Sequence, residues 1–454
     1  MATAFEFVVL DPVSNLKPGK SLRIRSRCMQ GKNKREGSRR TQREEKRLAK
    51  GGNVAAAKTK DPTTPVVSLP VSSISHLSFV RFAAPDIDSE AKGLLFKAFA
   101  YNVANQALSP LDRCVNFDCV DSAFFEWLFS DATFLHSILC ASYAINELMV
   151  TQWNGKPGRK TVFHLRETLS LLRAKMRQED AYRDESVLHI VINLALLAAV
   201  FGDWEAAAAH LKGLRKIVQL RGDLAFLRAR PKLHFKLDRL DLAWSLSSGQ
   251  MPFFLHPTVS WEPLIPPPYS LLPPGRFRPS PDWDSRLVNV FLDFQYLSLR
   301  INHSVCVHAR YHAGSFQRLL TSLQSLLLAL DGSLQSPIEE LVRLTMLAFL
   351  ATTFKVPGRR IPYGWVVDQL GRTYVKVTPG IVEQDRRLGL WVLIIAALTA
   401  ANAHDWVRGA WEIVSPGLDW VAVKNYLMQV MWIESIHDKP GQMVFKELER
   451  LEII

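Results

Sequence analysis

His303, Cys306, His308 and His312 are the densest group of metal-capable side chains in this 454-residue chain. His308 and His312 stand i, i+4, the spacing that sets two imidazoles on one helical face for zinc. On one continuous helix Cys306 lies about 200° from His308, and His303 about 180° from His312. The four then diverge, and they read as ordinary helix histidines. The five cysteines are Cys28, Cys114, Cys119, Cys140 and Cys306. A zinc-cluster DNA reader needs six thiolates beginning C-x2-C, and this set offers no such start. No metal and no cofactor is expected.

Other look-alikes lose their chemistry on inspection. Gly155-Lys156-Pro157-Gly158-Arg159-Lys160-Thr161 resembles a phosphate loop. The spacing fails because Arg follows Gly158, and Pro157 has no amide to donate. It reads as a helix–helix loop. Arg221-Gly222-Asp223 reads as a helix end, with Gly222 in the left-handed position. His404-Asp405 and His437-Asp438 are neighbours in sequence and read as helix-end capping. The motifs G-x-S-x-G, H-E-x-x-H and G-x-G-x-x-G do not occur. No catalytic residue emerges.

Charge is a stronger signal. Residues 1–60 hold 16 Lys and Arg against 5 acids, whereas residues 61–454 hold 40 against 38. A basic arm is joined to a nearly neutral body. Arg23, Arg25, Arg27, Lys32, Lys34, Arg35, Arg39 and Arg40 form its densest part. Such clusters suit the acidic groove of a nuclear import receptor or the phosphates of a nucleic acid. The arm has no interleaved aromatics for base stacking, so nucleic-acid binding through it is expected to be weak and non-specific. The apolar run Phe5–Leu10 is too short for a signal-peptide core, and Leu388–Ala401 is too short to span a bilayer. An intracellular chain without a membrane segment is expected.

The elements behind these residues read as all-α. Residues 1–75 are expected to be a largely disordered basic arm and linker, with the linker at Gly51–Pro70. Residues 76–454 are expected to form an irregular multi-helix bundle, α-solenoid-like in its helix recurrence. Apolar residues at i, i+3, i+4 predict helices over Ala91–Leu108, Phe124–Phe129, Ala132–Val150, Leu165–Arg177, Ser186–Phe201 and Leu233–Leu246. Asp131 and Asp203 read as N-caps, Asp203 for a helix to about Arg221. Further helices are predicted over Asp284–Ile301, Gly314–Leu330, Ser336–Phe354, Val382–Ala401, Leu418–Ile436 and Met443–Leu451. Residues 251–282 carry two Pro runs and form a non-helical crossover. Tyr374–Val377 is the best strand candidate.

Three segments resemble one family. Ile24–Arg35 looks like the basic N-terminal signature of a group of fungal transcription-factor-like proteins. His210–Leu227 is similar to the stretch of the fungal-specific transcription factor regulatory domain in which a helix ends in Arg-Gly-Gly. Here Asp223 replaces the second Gly. Ile433–Gly441 looks like that domain's closing helix and turn. The resemblance implies an all-α regulatory domain of nuclear proteins, in a member without the zinc-cluster reader. It supplies no catalytic residues.

The expected function is therefore transcription regulation in the nucleus. The arm meets an import receptor, and the body meets protein partners or an apolar effector. The alternative is a metabolic enzyme or small-molecule binder with a basic targeting arm. An enzyme should bring titratable groups together in a pocket.

Overall fold

The computed structural model describes residues 82–84, 87–103, 114–116, 122–149, 156–254, 260–265, 275–353, 361, 363–377, 385–400 and 405–450. The chain divides into Met1–Pro70 and Val71–Ile454. The arm and its eight named basic residues lie outside the described residues. The described residues are 76% helix and 1% strand, so the class is all-α.

Among the described residues, seven helices build a first core: α1 (Ser89–Val103), α2 (Ser122–Ser130), α3 (Ala132–Met149), α4 (Arg159–Lys175), α5 (Glu185–Phe201), α6 (Trp204–Leu220) and α7 (Pro231–Ser248). Eight more follow the crossover: α8 (Ser285–Cys306), α9 (Ala313–Ala329), α10 (Pro337–Thr352), α11 (Gly364–Lys376), α12 (Arg386–Thr399), α13 (Asp405–Val414), α14 (Trp420–Val430) and α15 (Glu434–Glu449). Among the described residues the strand content is one parallel pair, β1 (Val115–Asn116) beside β2 (Tyr311–His312), with Val115 opposite Tyr311.

Aspartates start many of these helices, because a short carboxylate reaches the amides that the first turn leaves free. Asp131 accepts from Thr133 N at 2.9 Å, Asp203 from Ala206 N at 2.9 Å and Asp419 from Ala422 N at 2.8 Å. Glu339 joins two helix starts. It accepts from Ser336 N at 3.1 Å before α10 and from Asp284 N before α8.

Helix α7 belongs to both cores. Leu233, Leu237, Leu240 and Trp244 pack into the first core. Phe235, Leu242, Ala243 and Leu246 pack into the second. Asp238, Arg239 and Asp241 are buried between them. The helix ends at Gly249, with φ +73°, where an added Cβ would meet the indole of Trp365 at 2.4 Å. Only glycine fits both the left-handed backbone and that contact.

Four expectations need correction. Tyr374–Val377 is no strand: Lys376 ends α11, whose Val366, Val367, Leu370 and Thr373 are buried at helical spacing. The β-branched residues there are outweighed by burial of one helical face. The single helix over Leu418–Ile436 is two. It stops at Val430, and α15 starts at Glu434 and includes Met443. Lys439-Pro440-Gly441 is not a turn but the middle of α15. A Cβ on Gly441 would lie 2.8 Å from Trp432 and 2.9 Å from Trp420, so close indole packing explains the glycine. Finally, no helix runs through His303–His312. It ends at Cys306, and His308 has φ +54°. His312 instead caps α9 by accepting from Ser315 N at 3.3 Å.

The predicted helix end at Arg221-Gly222 is present, with Gly222 at φ +84°. Asp223 is also left-handed, at φ +71°. Asp tolerates that region better than most L-residues but still carries strain. Asp223→Gly should raise stability by up to about 1 kcal/mol, and Asp223→Val should lower it by about 1–2 kcal/mol. Urea midpoints in the reverse order would contradict the strain.

Asp241 gives a pH signature. Burial raises its pKa to about 7, against the pull of the Phe253 and Phe254 amides, each 2.8 Å from a carboxylate oxygen. The folded pKa is above the unfolded one. Its contribution is therefore complete below about pH 4 and is lost as pH rises towards 7. Asp241→Asn should flatten the wild-type decline in denaturation midpoint between pH 4 and 7. An unchanged slope would assign the decline to other groups.

Candidate functional site

The phosphate-loop look-alike already holds an anion, and it is the protein's own. Gly158 is the N-cap of α4. The Glu147 carboxylate accepts from Gly158 N at 2.9 Å and from Thr161 Oγ1 at 2.7 Å. Helix N-termini attract negative charge, and here α3 supplies it. Lys160 turns away to Asp88 at 2.5 Å and Glu90 at 3.4 Å. The segment is a helix–helix joint.

Three other polar groups are closed in the same way. Lys175 donates to Asp131 at 2.6 Å and to Ser186 Oγ at 2.8 Å, and it also pairs with Asp184 at 2.6 Å. A serine–lysine dyad needs a neutral amine. Here burial opposes the charge on Lys175, but the hydrogen bonds of Asp131 and Asp184 prevail and raise its pKa. The cluster ties the caps of α3 and α5 together.

His136 and His164 meet Nδ1 to Nδ1 at 2.9 Å. A hydrogen bond there needs one ring to donate and the other to accept, and burial holds the His164 pKa down to about 4. His437 is buried between Phe349 and Trp432. Its Nδ1 accepts from Ile433 N at 3.1 Å, so Nε2 carries the proton and donates to Thr352 Oγ1 at 2.8 Å. Asp438 accepts from Trp432 Nε1 at 2.8 Å and from Lys424 at 2.6 Å. His437 and Asp438 thus serve packing at the start of α15. Among the described residues no three His, Cys, Asp or Glu side chains gather as metal ligands. Cys114 and Cys140 are buried, whereas Cys306 is exposed at the end of α8.

One open cleft combines charge with apolar surface. It has a volume of about 360 Å³ and lies against α8 and α9. Tyr296 and Arg300 come from α8; Ser315, Arg318, Leu319 and Ser322 come from α9. Both sets follow helical spacing, so each helix presents one face. Tyr311 of β2 adds a phenol, and Leu264 and Ile265 form a wall.

That wall is pinned by Asp293, one turn before Tyr296. Its carboxylate accepts from Leu264 N at 2.9 Å and Ile265 N at 3.1 Å. Burial raises its pKa to about 6. Asn289 Nδ2 donates to Trp261 O at 3.3 Å, and Arg286 lies 5.2 Å from the Trp261 ring centroid. The middle of the crossover, at residues 261–265, is thereby fastened along α8.

The guanidiniums are the cleft's reactive feature. Arg300 lies 5.8 Å from the centroid of Tyr296, and Arg318 donates weakly to Ser315 Oγ at 3.4 Å. Neither makes an ion pair among the described residues. The sequence reading missed this cleft. A usable signal was present: no Asp or Glu occurs from Phe294 to Leu330, a span that holds Arg300, Arg310 and Arg318.

Set against known proteins, the chain matches no family model, no curated protein and no solved structure. Among the described residues, no helix is long and apolar enough to cross a membrane.

Glu147→Ala should cost about 1–3 kcal/mol, because it leaves the Gly158 amide and Thr161 hydroxyl without their acceptor. Chemical denaturation measures this. An unchanged midpoint would show that the joint at α4 does not depend on the carboxylate.

Proposed function

We propose that this chain is a nuclear transcription-regulatory protein. Its basic arm carries it to the nucleus, and its helical body receives a protein partner or a small effector. The supporting observation is the charge division: 16 basic against 5 acidic residues in 1–60, joined to a body of 40 against 38. Solubility alone does not require so dense a field on one short segment. The resemblance of Ile24–Arg35, His210–Leu227 and Ile433–Gly441 to the fungal-specific transcription factor regulatory domain points the same way.

The body suits a receiving role. Glu147, Lys175, His312 and His437 are spent on caps and packing, and its cleft offers guanidiniums, phenols and hydroxyls beside apolar side chains. Such a set holds a ligand in place. The arm's chemistry is electrostatic. A run of Lys and Arg fits an acidic groove and meets phosphates without reading bases.

Replacing Lys32, Lys34, Arg35, Arg39 and Arg40 with Gln should abolish nuclear accumulation of the tagged full-length protein. Circular dichroism should show the helical body unchanged. Any DNA affinity of the wild type should fall steeply with salt and ignore sequence. Continued nuclear accumulation of the variant, or tight binding to one DNA sequence at physiological salt, would overturn the role given to the arm.

A further inference from the structure

We propose that the cleft along α8 and α9 binds a small amphiphilic organic anion. The acidic head, a phosphate or carboxylate, sits on Arg300 and Arg318. The apolar body lies on Tyr296, Leu319, Leu264 and Ile265. This inference rests on the cleft alone and stands whether or not the chain works in the nucleus.

The first argument is unspent charge. Arg183, Arg230, Arg286, Arg343 and Arg387 each have a carboxylate within 4.0 Å. Arg300 and Arg318, like several other exposed arginines, have none among the described residues, but these two line one concave surface. A carboxylate or phosphate takes charge-assisted hydrogen bonds from guanidinium in paired geometry.

The second argument is the sign of the surroundings. The acid-free run Phe294–Leu330 supplies most of the cleft lining. Asp293 is the nearest acid before it in sequence. It is 1% exposed, and both its oxygens are taken by the amides of the wall. Asp238, behind α9, is buried and accepts from Gln317 Nε2 at 2.6 Å and from Thr321 Oγ1. Neither carboxylate is free to neutralise the cleft. A concave site of one sign concentrates ligands of the other.

The third argument is shape. At about 360 Å³ the cleft is within the range of small-molecule sites, roughly 300–1,000 Å³. Its lining divides into a polar group (Arg300, Arg318, Ser315, Ser322) and an aromatic or aliphatic group (Tyr296, Tyr311, Leu264, Ile265, Leu319). A bare inorganic anion satisfies only the first group, and a neutral hydrocarbon only the second. A ligand with both parts uses the whole surface. The rigid mounting on two helices and an Asp293-pinned wall keeps the ordering cost of binding low.

Isothermal titration calorimetry on the full-length protein at physiological salt tests this with three probes. Phenyl phosphate should bind saturably at one site. Inorganic phosphate should bind more weakly, and benzyl alcohol should give no saturable heat. Arg300→Gln and Arg318→Gln should each weaken phenyl phosphate by about tenfold or more, the loss expected for a charge-assisted hydrogen bond. Both arginines are exposed, so circular dichroism and thermal unfolding should match the wild type. Tyr296→Ala should weaken phenyl phosphate more than inorganic phosphate.

The basic arm is the obvious competitor for anions. The variant with Gln at Lys32, Lys34, Arg35, Arg39 and Arg40 must therefore retain phenyl phosphate affinity. Affinity lost with the arm and kept by Arg300→Gln and Arg318→Gln would overturn the proposal. So would equal binding of benzyl alcohol, or no saturable binding by the wild type. None of these outcomes bears on nuclear localisation, which is read separately.

Discussion

A helix buried on both sides is the constraint on which the body depends. Pro231–Ser248 gives Leu233, Leu237, Leu240 and Trp244 to one core and Phe235, Leu242, Ala243 and Leu246 to the other. Each set repeats near the helical period, so rotating the helix to improve one core would withdraw side chains from the second. At about 1.5–3 kcal/mol for each large apolar side chain fully buried, neither core can release its share without loss. The two cores therefore stand or fall on one helix orientation.

The charged residues on that helix make the orientation specific. Asp238 accepts from Gln317 and Thr321, and Arg239 donates to Gln324, all three partners lying on one face of α9. Burying such groups is costly, and Arg239 Nε and Nη1 have no hydrogen-bond partner among the described residues. Desolvation pulls the Arg239 pKa down to about 10, which still leaves it charged at neutral pH. What this chemistry contributes is register. Gln317, Thr321 and Gln324 can meet α7 only if Ser315, Arg318 and Ser322 face elsewhere, and elsewhere is the cleft. The polar pairs inside the body thus aim the arginine outside it.

Legibility followed the range of the interaction. Asp131 and Asp203 were readable as caps because a cap is decided within three residues. Gly222 was readable as a helix end for the same reason. The errors all involve long-range packing. Lys439-Pro440-Gly441 looks like a stop, but Trp420 and Trp432 come from elsewhere in the fold to cover Gly441. Gly364–Lys376 and Asp405–Val414 escaped notice as helices, and Tyr374–Val377 was read as a strand, because their buried faces appear only once α7, α10 and α12 surround them. The cleft was invisible for a stronger reason. It needs two helix faces, a two-residue strand and a distant wall, and only the lack of acids from Phe294 to Leu330 marks it in one dimension.

The closed polar chemistry of the body gives the cleft its meaning. Glu147 fills the helix start that an outside anion would otherwise occupy, and Lys175 is held by two aspartates. His437 and Asp438 are spent on Thr352, Trp432 and Lys424. What sets Arg300 and Arg318 apart is that both line one concavity, with no ion pair among the described residues. Stability gives no reason for them, since like charges brought onto one surface repel and gain nothing from burial they do not have. A ligand acidic at one end and apolar at the other, as proposed above, would give these two guanidiniums and the apolar lining beside them a common use.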